Sequence, residues 1–325
     1  MSQSSIRIAF IAKYAPPVGS SKPCDASNED IVYSKYHFDI YRTLAKHFPN
    51  LVTGTNAQFI IDNHSEIDYI FSLLNRDSYR NSEIFISALA EFYKIPYLGC
   101  RPNIRALAED KHMGKMMAIY CGLSTPKWEI SDVDCEDLKP SLFPAPYFVK
   151  PRYGASSKNI DENSICDSWE EATKRIQFLH NLGEDAIIEE FVNGVFYSSP
   201  VIFSDGCPIV LPAIREESNM RGNVVTYKQK RKTESGLVRI VETDNEIQEE
   251  IRKASMKLIK NIAPIDYFRA DYMYDGKHLH FLEFNVCCNL GVQSAFVLSA
   301  RKFGLEYENL VLSILRESFR RQKII

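Results

Sequence analysis

The sequence predicts an α/β protein built from two or three packed units, and three observations carry this. At 325 residues the chain exceeds what one ordinary hydrophobic core organises. Between Arg7 and Cys100, short apolar runs fit for strands alternate with stretches of helical periodicity, the pattern of a β-α-β unit. Farther on, YFRADYMYDGKHLHFLEFNVCCNLG (267–291) shows two alternating runs on either side of Asp275-Gly276-Lys277, which read as a β-hairpin.

Taken in order, the opening run RIAFIAKY (Arg7–Tyr14) is a buried strand. APPVGSSKPCDASNEDI follows as a long polar loop rich in Pro and Ser. A helix is predicted from Ser34 to His47 and a strand from Asp68 to Leu74. Next comes the helix NSEIFISALAEFYK, capped by Asn81, with Glu83 and Glu91 outward and Ile84, Ala88, Leu89 and Phe92 on the core side. Pro96–Cys100 closes this first unit. The helix from Asp110 to Gly122 ends on the glycine expected past a C-terminus. Lys111 and Lys115 share one side of it, and their spacing alone favours a solvated face.

PYFVKP is a strand with Lys150 near its end, followed by the small-residue loop Gly154-Ala155-Ser156-Ser157. Such a loop lets backbone N–H groups approach an anion, and the lysine adds charge, although the pattern is not that of the Walker phosphate loop. Ser168 to Glu171 is a capping box opening a helix with Trp169, Ala172, Ile176 and Leu179 on one stripe. AIIEEFVNG is a strand in which Glu189 and Glu190 point to opposite faces. Residues 215–231 read as a polar loop, cationic toward its end. Ile247, Ile251, Ala254, Leu258 and Ile262 have the spacing of a sheet-packing helix. Two closing helices, Ser294–Arg301 and Glu308–Arg320, end in a basic tail read as solvated.

The hairpin carries the candidate chemistry. Arg269 and Asp271 share a face of its first strand, Glu283 and Asn285 a face of its second. A three-residue connection would pair Arg269 with Glu283 and place all four on one surface; a two-residue turn would not. Converging Asp, Glu and Asn oxygens suit Mg2+ shared with nucleotide phosphates, and the bland alternative is an exposed face with an Arg-Glu pair. Glu283 lies within HFLEFNV, a run otherwise fit for burial, which favours the metal.

Composition narrows the class. Hydrophobic content of 45%, charged content of 25% and a net charge of −3 are those of an ordinary globular protein without a nucleic-acid footprint. No run approaches a membrane span, and MSQSSIRIAF lacks the regions of a signal peptide, so a cytoplasmic protein is expected. Eight cysteines without C-x-x-C spacing read mostly as small core residues of a reduced protein, with Cys287-Cys288 directly after the metal candidates.

The order of these features resembles the ATP-grasp superfamily, in its D-alanine-D-alanine ligase-like branch. The resemblance runs from about Asp68 to the C-terminus, carried by IPYLG, ALAEDKHMGKMMAIYCGLSTP, YFVKPRYGASS, IIEEFVNG, FRADYMYD and FLEFNV. It implies an α+β ATP-binding part with ATP held between two of three subdomains: residues 1–102, an α/β unit; 103–203, central; and 204–325, with the metal site. It also implies that Lys115 and Lys150 hold ATP phosphates under a Ser156-Ser157 loop, and that Glu189, with Glu190, Phe191 and Val192 at the hinge, receives adenine. Lys230 reaches the terminal phosphates from a mobile loop. Asp271, Glu283 and Asn285 ligate Mg2+ or Mn2+, Arg269 stabilises the oxyanion, and Ser294 holds the acceptor's carboxylate. The implied reaction joins a small carboxylic acid to an amine through an acyl-phosphate, in a homodimer that binds neither membrane nor nucleic acid.

The sequence departs from the family at the donor pocket. KYAPPVGSSKPCDASNED stands where a glycine-rich loop with a substrate-gripping glutamate is expected, NRDSYRNSE replaces a histidine-glycine phrase, and Arg231 replaces a tyrosine beside Lys230. A donor other than D-alanine is inferred, with Arg76, Arg80 and Arg231 suiting an acidic substrate. Phe196 replaces the ribose-binding carboxylate. A true D-alanine-D-alanine ligase and a non-catalytic ATP-binding regulator are the alternatives.

Overall fold

The computed structural model describes residues 5–74, 82–134, 139–154, 156–231 and 234–324. Its first part runs β1 (Ile8–Ile11), α1 (Ile31–His47), β2 (Val52–Gly54), α2 (Gln58–Asn63), β3 (Tyr69–Ser72) and α3 (Ile84–Tyr93), with the strands in a parallel sheet ordered β2-β1-β3. β1 is buried along its whole length, which is why it reads as an unbroken apolar run. Ile60, Ile86 and Ala90 pack on the Ala9, Ile11 and Ile70 side of the sheet. This shifts the predicted stripe of α3. Ala88 and Phe92 are exposed, and Glu83, expected outward, is buried, because α3 meets the sheet through Ile86 and Ala90. Asn81, its expected cap, lies outside the described residues.

Two helices follow, α4 (Pro102–Glu109), which sequence reasoning did not find, and α5 (Lys111–Tyr120). Only Asp110 separates them, and its side chain accepts the His112 and Met113 amides to cap α5. β4 (Trp128–Ser131), β5 (Tyr147–Pro151), β6 (Ile165–Cys166), α6 (Trp169–Asn181) and β7 (Ala186–Glu190) then build an antiparallel sheet ordered β4-β7-β5-β6. α6 lays Ala172, Ile176 and Leu179 on the Val149 and Ile188 face. Lys150 and Glu189 are left on the other. Ser168 caps α6 through the Glu171 amide, but the Glu171 carboxylate answers to the Asp167 amide, not to that of Ser168.

The largest sheet holds β8 (Val195–Ser204), β9 (Cys207–Val210), β10 (Ile214–Ser218), β11 (Leu237–Val241), β12 (Tyr267–Tyr274) and β13 (Leu279–Asn285). Its order is β11-β10-β8-β12-β13, with β9 also on β8. A boundary at 203/204 would therefore cut β8. Residues 215–231, expected as a loop, contain most of β10 and the short helix α7 (Tyr227–Arg231); β10 is held between β8 and β11, a pairing no local pattern announces. α8 (Asn245–Ile262) buries Ile251, Leu258 and Ile262 against Phe268, Ala270 and Tyr272, which leaves Arg269 and Asp271 on the opposite face.

α9 (Ala295–Lys302) and α10 (Tyr307–Arg321) return the chain to the first sheet, where Phe296, Ile314 and Phe319 join Ile8, Phe10, Tyr69 and Phe71 in one core. Arg321, in the tail read as solvated, instead pairs at 2.7 Å with the fully buried Asp266. Of the seven described cysteines, all free, Cys100, Cys166 and Cys288 are buried in core clusters, Cys121 and Cys287 pack against one, and Cys207 is exposed. No described helix is long and apolar enough to cross a membrane.

The revised face of α3 makes a direct contrast. Ile86→Ala is expected to cost about 2–5 kcal/mol in urea unfolding, and Phe92→Ser less than about 0.5 kcal/mol.

Candidate active site

Two buried lysines share one buried carboxylate. Lys115 Nζ from α5 lies 3.1 Å from Glu189 Oε1, and Lys150 Nζ from β5 lies 3.0 Å from Oε2. The spacing of Lys111 and Lys115 suggested solvation; α5 instead turns both inward, where Lys115 is 0% exposed. Lys115 also donates to Thr125 Oγ1 at 2.9 Å, while Lys111 donates to the Gly154 carbonyl at 2.7 Å. Burial lowers Lys115 to about 8 despite the pull of Glu189. For Glu189 burial acts upward, but the two lysines together hold the carboxyl below its ordinary range.

The hairpin brings its four polar residues onto one surface, by a register other than the one expected. Arg269 pairs with Asn285 and Asp271 with Glu283, whereas nearer the turn Tyr272 pairs with Phe281 and Tyr274 with Leu279. Leu282 is thus an extra residue, and the bulge it makes reverses which side chains face each other. Without it, a connection of this length would send Glu283 and Asn285 to the face opposite Asp271.

Asp271 is 1% exposed and hydrogen-bonded through both oxygens. Arg269 Nε and Nη2 donate to its two oxygens at 2.7 and 2.5 Å, Ser198 Oγ donates at 3.1 Å and Asn285 Nδ2 at 3.1 Å. Burial still raises its carboxyl above the ordinary value. Glu283 goes the other way. Burial opposes it, yet Lys111, Lys150, Lys230 and Arg269 hold it at about 2, and its side chain lines the cleft. An ionised carboxylate beside a carboxylate, an amide oxygen and several cations is the donor set a hard divalent cation takes when it also meets phosphate oxygens, so these residues fit Mg2+.

The cleft of about 700 Å³ lies between this surface and the first sheet, and includes Ser156, Lys230, Arg231, Ser294 and Glu283. Ser156 and Ser157 hold left-handed backbone, φ 63° and 55°, at a cost of about 1–2 kcal/mol each that the surroundings must maintain. Ser156 Oγ lies 3.5 Å from Tyr33 Oη of α1. Ser294 caps α9 by accepting the Val297 amide at 3.2 Å, which leaves its hydroxyl hydrogen and one lone pair. The half-buried Glu190 ends β7, and Phe191 and Val192 open the β7–β8 connection, where the Phe191 amide already donates to the Pro146 carbonyl.

Arg231 differs from its expected role. Its guanidinium donates to Asp30 at 2.5 Å and stacks 3.7 Å from the Tyr33 ring centroid and 4.8 Å from that of Tyr227. It therefore latches α7 to the start of α1. Asp30 also receives Lys13 at 2.8 Å and Tyr14 Oη at 2.5 Å; burial opposes the shift, but these partners hold it at about 2. Arg76 and Arg80 lie outside the described residues. Sequence reasoning missed Asp30, inside a loop without periodicity, and Glu216, buried on β10 between Ser198 and Arg239; neither carries a local signal.

With this geometry in place, likeness to known proteins is informative. A family profile described as D-ala D-ala ligase C-terminus matches residues 111–316. The D-alanine–D-alanine ligase of Maridesulfovibrio salexigens is 26% identical over 257 residues, 78% of this chain and 82% of its own. That of Aquifex aeolicus is 27% identical over 234 residues, 71% and 76%. In fold, the chain is similar to the ATP-complexed D-alanine–D-alanine ligase from Bacillus anthracis, with a TM-score of 0.76 at 21% identity over 98% of each chain. It is also similar to VanG D-Ala:D-Ser ligase from Enterococcus faecalis, with a TM-score of 0.72 at 16% identity over 96% and 99%.

The shared carboxylate sets an expectation for stability. Glu189→Gln leaves two buried ammonium groups without a counter-charge and should cost about 3–5 kcal/mol at pH 7 in denaturant unfolding. Lys115 gives up its proton near 8 in the fold but near 10.5 when unfolded. Between those values the unfolded chain binds more protons, so the contribution of Lys115 to stability improves as pH rises. The loss in Glu189→Gln should accordingly be smaller at pH 9 than at pH 7, and an equal loss at both would contradict the charge assignment.

Proposed function

Because this chain belongs to the D-alanine–D-alanine ligase family of ATP-grasp enzymes, which use ATP and Mg2+ and release ADP, we propose that it joins a small carboxylic acid other than D-alanine to an amine. The observation that carries the donor reading is the state of the carboxylates lining the cleft. Asp30 is taken by Lys13 and Arg231, Asp39 faces Arg42 at 3.5 Å, Glu216 is taken by Arg239, and Glu83 already has partners. Glu283 belongs to the metal set. None of these is open to receive the ammonium of an amino-acid donor. Lys35, by contrast, lines the cleft with no carboxylate within 4.0 Å among the described residues. A donor with a second acidic group, or with a hydroxyl in place of the ammonium, suits these walls.

In this reading Lys115, Lys150, Lys230 and the Ser156-Ser157 turn hold the ATP phosphates, and Glu189 to Val192 face the adenine. Asp271, Glu283 and Asn285 would hold Mg2+, which would supply charge neutralisation at the phosphates. A donor carboxylate oxygen attacks the terminal phosphorus and the bond to ADP breaks. The amine nitrogen then attacks the acyl carbon, the carbon–oxygen bond to phosphate breaks, and the nitrogen loses a proton. Arg269 orients Asp271 through Nε and Nη2 and keeps Nη1 for the developing oxyanion, a contact of the kind worth about 3 kcal/mol. Ser294 donates its hydroxyl hydrogen to the acceptor's carboxylate. Arg231 closes α7 over the cleft instead of touching substrate. We place the unit boundaries at 101/102 and 194/195, where α4 and β8 begin.

The test is ADP release from Mg-ATP with D-alanine, 2-hydroxy acids and short dicarboxylic acids as donors, each paired with a panel of amino acids as acceptors. Turnover confined to non-amino-acid donors is expected. Turnover confined to D-alanine pairs would establish the rival, a D-alanine-D-alanine ligase. Glu283→Gln should lower turnover with the productive pair by at least about a hundredfold, and an unchanged rate would overturn the metal assignment.

A further inference from the structure

The turn of the β12–β13 hairpin holds a second group of metal-type donors, separate from Asp271 and Glu283. We propose that Asp275, His278 and His280 form a site for a late first-row divalent cation of the Zn2+ class. His280 Nε2 lies 2.9 Å and His278 Nδ1 3.8 Å from Asp275 Oδ2, and one ligand atom from each residue falls within 4.8 Å of the others. Two imidazoles and one carboxylate are the nitrogen-rich set that zinc takes and that magnesium, which prefers oxygen, does not.

The second layer is what separates this group from a chance surface pair. Asp275 Oδ1 accepts the backbone amides of Lys277 and His278, both at 2.8 Å, which fixes the carboxylate with Oδ2 toward His280. His280 Nδ1 lies 3.2 Å from Ser124 Oγ, so the ring is anchored on one nitrogen and presents the other to Asp275. Gly276, at φ 95°, makes the tight turn that returns His278 and His280 to Asp275. Outer-layer hydrogen bonds of this kind orient metal ligands before the ion arrives. His278 is the exposed, adjustable ligand, and solvent would supply the fourth position.

The location gives the ion a consequence. Ser124 and Thr125 connect α5 to β4: the Ser124 carbonyl accepts the Phe281 amide at 2.7 Å, and Thr125 Oγ1 both accepts from Lys115 and donates to the Phe281 carbonyl. On the other side Gly194, in the β7–β8 connection, packs so closely that a Cβ there would stand 2.3 Å from the Tyr274 carbonyl oxygen. A cation at the turn therefore braces the hairpin where it meets both connections from the four-stranded sheet.

The test is calorimetric titration of Zn2+ into the chelator-treated full-length protein without nucleotide, comparing wild type, Glu283→Gln, His278→Ala and His280→Ala. One equivalent should bind to the wild type and to Glu283→Gln with the same affinity, and both histidine variants should bind at least about tenfold more weakly. Loss in Glu283→Gln alone would place the ion at the nucleotide-metal residues, and no binding to wild type at millimolar Zn2+, or unchanged binding in both histidine variants, would overturn the proposal. His278 is exposed, so its variant keeps the test valid should His280→Ala misfold. Co2+ in place of Zn2+ should give visible bands of a nitrogen- and oxygen-ligated ion that His278→Ala removes.

Discussion

Two ammonium groups on one carboxylate, sealed from water, are the constraint on which the nucleotide side of this protein depends. A buried lysine is costly unless paired, and here the pairing joins three elements far apart in sequence: α5, β5 and β7. The Lys115–Glu189–Lys150 bridge thus fixes the helix against the sheet.

Across the cleft the corresponding device is geometric. Hydrophobic periodicity alone would leave the acids of β12 and β13 on opposite faces. The bulge at Leu282 reverses one strand relative to the other and gathers Arg269, Asp271, Glu283 and Asn285 on one surface. The two acids then divide by environment. Asp271, fully enclosed, is raised by burial, whereas Glu283 looks onto the cleft among lysines that keep it ionised. Such a division sets Asp271 against Arg269 and Glu283 among the cations of the cleft.

The N-terminal unit contributes through Asp30. Its carboxylate gathers Lys13, Tyr14 and Arg231, and the aromatic rings of Tyr33 and Tyr227 flank the arginine. The short helix α7, which carries Lys230, is thereby held against α1 by a desolvated ion pair and ring stacking. A family position read from sequence as substrate-facing serves as a clasp between units, and the donor pocket is shaped by the charge this clasp consumes.

By itself the sequence determined many of the elements and the family. The buried strand of β1, the stripes of α6 and α8, and the alternation around Asp275-Gly276 are local patterns, legible because periodicity reports which face is buried. The phrases from Lys115 to Asn285 supplied the family for the same reason that they are readable: each is a short continuous run. Tertiary structure alone decided the rest. Lys111 and Lys115 could sit on a solvated or a buried face, and only the packing of α5 on β13 turns them inward. The register of the hairpin hung on one extra residue, invisible to an alternation count. The identity of β10 came from its neighbours β8 and β11, and the role of Arg231 from Asp30, two hundred and one positions away. Each is a non-local pairing, whose free energy comes from desolvation and contact between distant segments and so leaves no mark in the local sequence.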